Sequence, residues 1–167
     1  MQPQSACPTS EFIRKTIPLL LDRYNITYLA EGDCIEYFLT DKKTNAEISQ
    51  NLLISLNRFA RQIEVIRFYP ELNKQPAAKY LSAVCFYLLI HHFARHLGIS
   101  NTHKIFVRTR PEIFTGFYKS LLDFNFHPKF QIANTIDLIS DFTETDVDTS
   151  TISENPAEPA EMRFMIA

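Results

Sequence analysis

The 167-residue chain has a length that suits one domain and the composition of an ordinary globular protein. Hydrophobic residues make up 46% and charged residues 22% of it, which excludes the disordered and fibrous classes. A formal net charge of -2 gives no reason to expect a nucleic-acid partner, because proteins that bind phosphate backbones carry a basic domain or stripe. Three widely spaced cysteines without a CxxC pair predict neither a disulfide framework nor a zinc site. We therefore expect a reducing compartment, the cytoplasm.

The hydrophobic runs of the chain are too short for a membrane span. The most apolar run, "AVCFYLLI" from Ala83 to Ile90, falls well short of the roughly 20 residues that a span needs. The first residues, "MQPQSACPTSEF", have neither the basic nor the apolar region of a secretory signal. We expect a protein without a membrane partner.

The N-terminal segment is predicted to be a flexible lead followed by a helix. Residues 1–9 contain two prolines and show no periodicity. From Thr9 or Ser10, either of which can cap a helix, apolar residues recur at helical spacing. Pro18 falls inside this pattern, so we expect it to kink the helix or divide it in two.

The next segment has the alternation of antiparallel strands. Residues 26–29 and 34–40 are rich in β-forming side chains and are separated by the turn signal Glu31-Gly32-Asp33. Residues 46–60 are interpreted as a strand, with a helix as the alternative, and "QIEVIRFY" from Gln62 is the following strand.

The second half alternates helices with strands. "AAKYLSAVCFYLLIHHFARHLG" is apolar almost all round and ends on cations and then Gly98, which predicts a central helix. "KIFVRT" is a short strand, and residues 111–124 form a helix with Pro111 in its first turn. Closing strands are predicted over 129–133 and 136–139.

Residues 143–167 are predicted to be a disordered acidic tail, because "TETDVDTSTISENPAEPAE" is broken by prolines and short of large apolar residues. The domain is then 10–142. Its order of elements predicts an α+β fold with a mixed, mainly antiparallel central sheet, a strand-helix-strand crossover and helices flanking both faces.

Residues 62–126 resemble the second half of the GCN5-related N-acetyltransferase (GNAT) superfamily. The matching pieces are the strand "QIEVIRFY", the helix ending "ARHLGI", the strand "KIFVRT" and the segment "GFYKSLLDFNF". Ala94 and Gly98 match the small residue and the glycine at the end of the family's central helix, and Phe117 and Tyr118 match its "FY" pair. The chain departs from the family at the pyrophosphate loop, where neither register of "NKQPAAK" and the following helix supplies the usual glycine.

The resemblance implies an acyl-CoA-dependent N-acyltransferase with acetyl-CoA or another acyl-CoA as donor and a small-molecule or protein amine as acceptor. Tyr118 would be the general acid that protonates the departing thiolate, whereas its alternative role is packing beside Phe117 and Leu121. Glu64, in mid-strand, is the candidate base, and its alternative is a solvated strand position. The donor would lie along the strand and the loop that follows it, at Val65, Ile66, Arg67, Lys74, Ala77, Ala78 and Lys79.

Other polar residues favour structural roles. His92 and His96 are four apart on one helix face, which is metal-ligand spacing, but the glutamate of an HExxH motif is missing, so no metal is predicted. Cys34 and Cys85 lie in apolar contexts that favour inert thiols. A basic set could meet cofactor phosphates, an acidic partner or the acidic tail of the chain itself: Arg58, Arg61, Arg67, Lys74, Lys79, Arg108 and Arg110.

The alternative to an acyltransferase is a non-catalytic interaction or regulatory protein. Its motivation is the glycine-poor loop together with the acidic tail and the apolar end "MRFMIA", which would contact a protein partner.

Overall fold

A computed structural model describes residues 10–45, 47–67, 81–99, 102–109, 119, 121–130 and 135–155. The first half contains α1 (Ser10–Arg23), β1 (Tyr24–Glu31), β2 (Cys34–Asp41), β3 (Glu47–Asn57) and β4 (Gln62–Arg67). The second half contains α2 (Leu81–Leu97), β5 (Lys104–Thr109), a 3₁₀ helix (Leu121–Phe124), β6 (His127–Phe130), β7 (Ile136–Asp141) and β8 (Ser153–Glu154).

These strands form one mixed sheet of eight strands in the order β6-β7-β5-β4-β3-β2-β1-β8. The β4–β5 and β1–β8 pairs are parallel and the others antiparallel, so the predicted α+β class with a mainly antiparallel sheet is confirmed. Residues 47–57 are a strand, which decides between the two interpretations of that segment. A parallel pair needs a long crossover, and α2 lies within it.

One face of the sheet carries the core. A row of buried aliphatic side chains runs across five neighbouring strands. Its members are cross-strand partners: Ile35, Ile54, Val65, Val107 and Leu138. Both described helices pack against this inner face and against each other. Most of the predicted helix 111–124 lies outside the described residues, and its last four residues, Leu121–Phe124, form a 3₁₀ helix.

α1 buries a narrow apolar stripe. Ile13, Ile17 and Leu20 are spaced four and three apart and face the core. The split predicted at Pro18 does not occur, because one helix runs from Ser10 to Arg23 with the proline inside it.

α2 is buried on nearly all sides until its last turn, as its apolar sequence predicts. It ends at Gly98, whose φ of 70° is left-handed, and the Ile99 amide closes the turn on the Ala94 carbonyl at 2.8 Å. No helix among the described residues is long and apolar enough to cross a membrane.

The structure differs from the predicted disordered tail over residues 143–155, which we call the strap. Val147 and Ile152 are buried, β8 pairs with β1, and the Asn155 amide donates to the Tyr28 carbonyl at 2.8 Å. Phe142 completes a series of buried residues spaced five apart, a period of neither a helix nor a simple strand. The strap is acidic and polar on average but carries an apolar anchor at each point where it meets the body.

Candidate functional site

The parallel strands β4 and β5 separate at their carboxyl ends. Their pairing runs from Gln62–Lys104 to Val65–Val107 and stops there, although each strand continues for two residues. Over those residues each strand stays paired on its other side, since Arg67 pairs with β3 and Thr109 with β7. The sheet therefore opens between β4 and β5 while remaining closed on either side of the opening.

Among the described residues, main-chain groups of both strands have no ladder partner across this opening. Buried N–H and C=O groups require partners, and an extended ligand with amide groups can supply them as an added strand does. A register shift in the β3–β4 pair between Leu53 and Ile54 lies at the same level. Irregular pairing of this kind is common where a sheet bends or stops beside a binding site.

Two buried hydroxyls lie in β5, which ends at this opening, and in the first turn of α2. Within the described part of the chain, the Thr109 Oγ1 and Ser82 Oγ atoms have no hydrogen-bond partner, although Thr109 is 4% and Ser82 is 0% exposed. Thr109 ends β5 and Ser82 lies in the first turn of α2, and the β4–α2–β5 crossover brings a helix start toward the carboxyl ends of its strands. A buried hydroxyl without a partner costs free energy, so each is a vacant donor and acceptor.

Glu64 lies one residue before the opening, on the outer face. Its Oε2 accepts a hydrogen bond of 3.0 Å from the Asn57 Nδ2 atom, and its side chain is half-buried. The positive charge of Arg108 is within electrostatic reach of the carboxylate. Asn57 therefore fixes one oxygen of the candidate base and leaves lone pairs on both oxygens for another donor.

The other predicted site residues divide between described and undescribed parts of the chain. Val65 points into the core and is only 7% exposed, so its side chain is not available to a ligand and only its main chain remains. Ile66, 49% exposed, projects from the outer face, and the Arg67 main chain ends β4. The remaining predictions lie outside the described residues: Lys74, Ala77, Ala78, Lys79 and Tyr118.

An ion pair that sequence reasoning missed lies beside the opening. Arg108 donates from Nε and Nη2 to the two oxygens of Asp137, at 2.7 and 3.1 Å, and its guanidinium lies 5.3 Å from the Phe106 ring centroid. The hydrogen bonds to Asp137 raise the Arg108 pKa, and Asp137 is 3% exposed. Both residues were polar strand positions in the sequence, and only the β5–β7 register shows that they are neighbours.

The histidine pair on α2 is part of an aromatic cluster. The Tyr37 hydroxyl lies 2.8 Å from His92 Nδ1, and the His92 and His96 rings stack at a centroid distance of 6.0 Å. Burial, with a smaller contribution from His96, lowers the His92 pKa to about 4. Among the described residues, no group of three histidine, cysteine or acidic side chains could hold a metal ion.

The two described cysteines lie in different environments. Burial raises the Cys85 pKa to about 12, which keeps the thiol protonated at neutral pH. Cys34 is half-buried and its Sγ donates to the Ser55 Oγ at 3.3 Å.

A second concave region lies at the other end of the parallel strands. It is a cavity of about 900 Å³, open to solvent, whose wall includes Gln62 and Lys104 at the start of β4 and β5, His91 of α2, and Thr143 and Thr145 of the strap. None of the predicted site residues that the structure describes lines it.

Comparison with known proteins does not help to interpret these two regions, so the interpretation rests on their geometry. No protein-family model, no curated protein and no solved structure matches the chain.

Proposed function

We propose that the chain is an acyl-CoA-dependent N-acyltransferase-like protein that binds its acyl donor in the opening between β4 and β5. The observation that carries the proposal is that pairing stops at Val65–Val107 while both strands continue. The resemblance of residues 62–126 to GNAT enzymes assigns the pantetheine arm of the donor to the same strands. The arm contains two amides and can pair with main-chain groups of Ile66 and Arg108, which within the described part of the chain have no partner across the opening.

The residues around the opening suit an acyl thioester. Thr109 and Ser82 offer vacant hydroxyls to a polar group of the donor. The outer face beside the opening carries Glu64, held by Asn57. An acceptor amine that reaches the thioester from this face passes the Glu64 carboxylate.

The reaction is a direct transfer. The neutral amine nitrogen attacks the thioester carbonyl carbon, a C–N bond forms, the C–S bond breaks and the thiolate leaves. Glu64 takes the proton lost by the amine, directly or through water, and the thiolate is protonated by the residue that the resemblance assigns, Tyr118. The acceptor is a primary amine of a small molecule or a protein.

Binding is tested first, by titration calorimetry of the full chain with acetyl-CoA, a longer acyl-CoA and free CoA. We expect heat and a dissociation constant at or below about the millimolar range. If none of the three ligands gives heat, the proposal fails and the alternative, a non-catalytic interaction protein, is favoured.

A substitution of Thr109 tests whether its buried hydroxyl binds the acyl donor or only lacks a hydrogen-bond partner. Thr109→Val removes the Oγ1 atom at constant shape, so the free protein should be as stable as wild type or more so, because a buried polar atom without a partner is lost. If Oγ1 contacts the donor, affinity for acyl-CoA falls about tenfold. Ser140→Ala, which removes another buried hydroxyl at the other end of the sheet, is the matched control and should bind as wild type does. Equal affinity of the Thr109→Val and wild-type proteins would remove this hydroxyl from the site.

The role of Glu64 is tested by Glu64→Gln, which keeps an oxygen for the Asn57 hydrogen bond but cannot take a proton. With a panel of primary amines and detection of the released thiol, we expect the rate of transfer to fall by about 10² or more while acyl-CoA affinity is retained. A rate equal to wild type would show that Glu64 is a solvated strand residue.

A further inference from the structure

Besides its apolar anchors and its pairing with β1, the strap contacts two polar residues of α2 that lie one turn apart. Arg95 donates from its guanidinium to the Val147 carbonyl, to the Thr145 carbonyl at 3.0 Å and to the Glu144 carboxylate at 3.3 Å. His91 contacts Thr145, whose amide and hydroxyl both lie 3.2 Å from its Nε2 atom. Arg95 is charged at all ordinary pH values, whereas His91 is a group that changes charge near neutral pH.

The hydrogen bonds of His91 determine which ring nitrogen carries the proton. Its Nδ1 atom lies 2.9 Å from the Tyr87 carbonyl, which can only accept, so Nδ1 must carry hydrogen. In the neutral ring, Nε2 is then an acceptor, and it receives the Thr145 amide. The hydrogen bond from the Thr145 amide to His91 therefore requires the neutral ring.

Protonation of His91 removes the acceptor at its Nε2 atom. A hydrogen on Nε2 would face the Thr145 amide hydrogen, so the amide contact cannot persist, although the Thr145 hydroxyl and the Thr143 carbonyl can both accept the new hydrogen. The strap main chain would have to move at Thr145 so that its amide hydrogen clears the imidazolium. His91 is 2% exposed, so its added charge would also lack water.

We propose that His91 is a proton-operated latch on the strap: its protonation frees Thr145 and opens the cavity that Thr143 and Thr145 border. This regulatory role is independent of the proposed acyltransferase reaction, because the cavity and the opening between β4 and β5 lie at different ends of the sheet.

The surroundings of His91 set the pH range of the latch. Burial is the largest effect and lowers the His91 pKa below the ordinary histidine value. The hydrogen bond to the Tyr87 carbonyl raises the pKa, the charge of Arg95 lowers it, and Glu144 and the Thr143 carbonyl raise it. Among the described residues, the charged and titratable groups of the same cavity wall are Tyr87, Lys104, His127, Lys129 and Asp141. The folded, latched state binds its proton less readily than a free histidine, so the latch is closed above about pH 6.5 and opens as the pH falls below it.

The experiment is a pH titration of the full chain by NMR, from about pH 7.5 to about pH 5. The nitrogen shifts of the imidazole report the tautomer and protonation of His91, and amide hydrogen exchange, corrected for its intrinsic pH dependence, reports opening of the strap. We expect the Nδ1–H tautomer at high pH and at least about tenfold faster corrected exchange for the strap amides at the His91 midpoint, with β3 and β4 unchanged. A neutral gadolinium chelate in the solvent should then relax the Ser140 resonances more strongly.

Two variants separate the latch from other titrations. His91→Gln cannot protonate, so the strap midpoint should disappear, whereas His127→Gln removes an exposed histidine of the same cavity wall and should leave it in place. Strap exchange that stays constant while His91 titrates would overturn the proposal, and this wild-type result does not depend on either variant folding. A strap midpoint retained in His91→Gln would overturn it as well.

Discussion

At the scale of single residues, the molecule places polar groups in its core and satisfies most of them through specific partners. His92 is 8% exposed and is held neutral between the Tyr37 hydroxyl and the Tyr28 ring, whose centroid lies 4.5 Å away. Such a group stabilises the fold only in its neutral state. Its effect on stability must therefore depend on pH.

We predict that the protein loses stability in mild acid through His92. The folded pKa of about 4 lies below the ordinary 6.5, so the unfolded chain takes up the proton first as the pH falls. The stabilisation is complete above about pH 6.5 and is lost progressively toward about pH 4, by on the order of 3 kcal/mol. Urea unfolding monitored at several pH values measures it.

His92→Gln should flatten that dependence, because an amide can still contact Tyr37 and does not titrate in this range. His103→Gln, at a half-exposed position before β5, is the control and should keep the wild-type dependence of stability on pH. The same slope in both variants would show that another group causes the loss.

At the scale of the elements, the hydrophobic patterns of the sequence predicted the helices and strands well, and the predictions that were wrong have physical causes. Alternation located β1 and β2 and favoured β3 as a strand, because one face of each is buried. Pro18 was expected to kink α1 or divide it, and the division does not occur, because the Ile13, Ile17 and Leu20 stripe packs on the core on both sides of it. Tertiary packing outweighed the local preference of one residue.

We predict that Gly98→Ala destabilises the protein by about 1 kcal/mol. Its φ of 70° is unfavourable for a residue with a Cβ atom, whereas the space around it is open, so the cost is that of the backbone alone. Thermal and urea unfolding of the Gly98→Ala and Gly98→Asn proteins measure it. Asparagine tolerates the left-handed region better and should cost less, and equal stability of all three proteins would contradict the argument.

The site followed from the sequence less completely than the fold. The β4 and β5 strands and Glu64 were identified from pattern, but the end of their pairing at Val65–Val107 depends on register, which no local pattern encodes. Arg108 and Asp137 meet for the same reason. Val65 belongs to the inner face, so only its main chain is available for the predicted contact with the donor.

At the scale of the whole molecule, the strap is a structural part of the domain. The average composition of residues 143–155 predicted disorder, since composition does not show where a few apolar residues meet a surface. Val147 and Ile152 are 4% and 6% exposed and join the single core. The domain therefore extends past residue 142 to at least 155.

We predict that the double substitution Val147→Ala and Ile152→Ala lowers the free energy of unfolding by about 3 kcal/mol, because buried aliphatic groups are removed at two separate anchors. Ser153→Ala, at an exposed position of the same segment, should change it by less than about 0.5 kcal/mol. Urea unfolding measures both. A double variant as stable as wild type would show that the strap does not contribute to the core.

The two-residue pairing of β8 with β1 has a consequence for the order in which the molecule forms. Thr27 pairs with Ser153, and 125 residues lie between them. During synthesis β1 emerges before β8, and its outer edge, a template for unwanted strand pairing, stays uncovered until the ribosome has made that intervening stretch. Contacts so distant in sequence form late in folding. The nascent protein must therefore protect that edge during this interval without the segment that protects it in the finished fold.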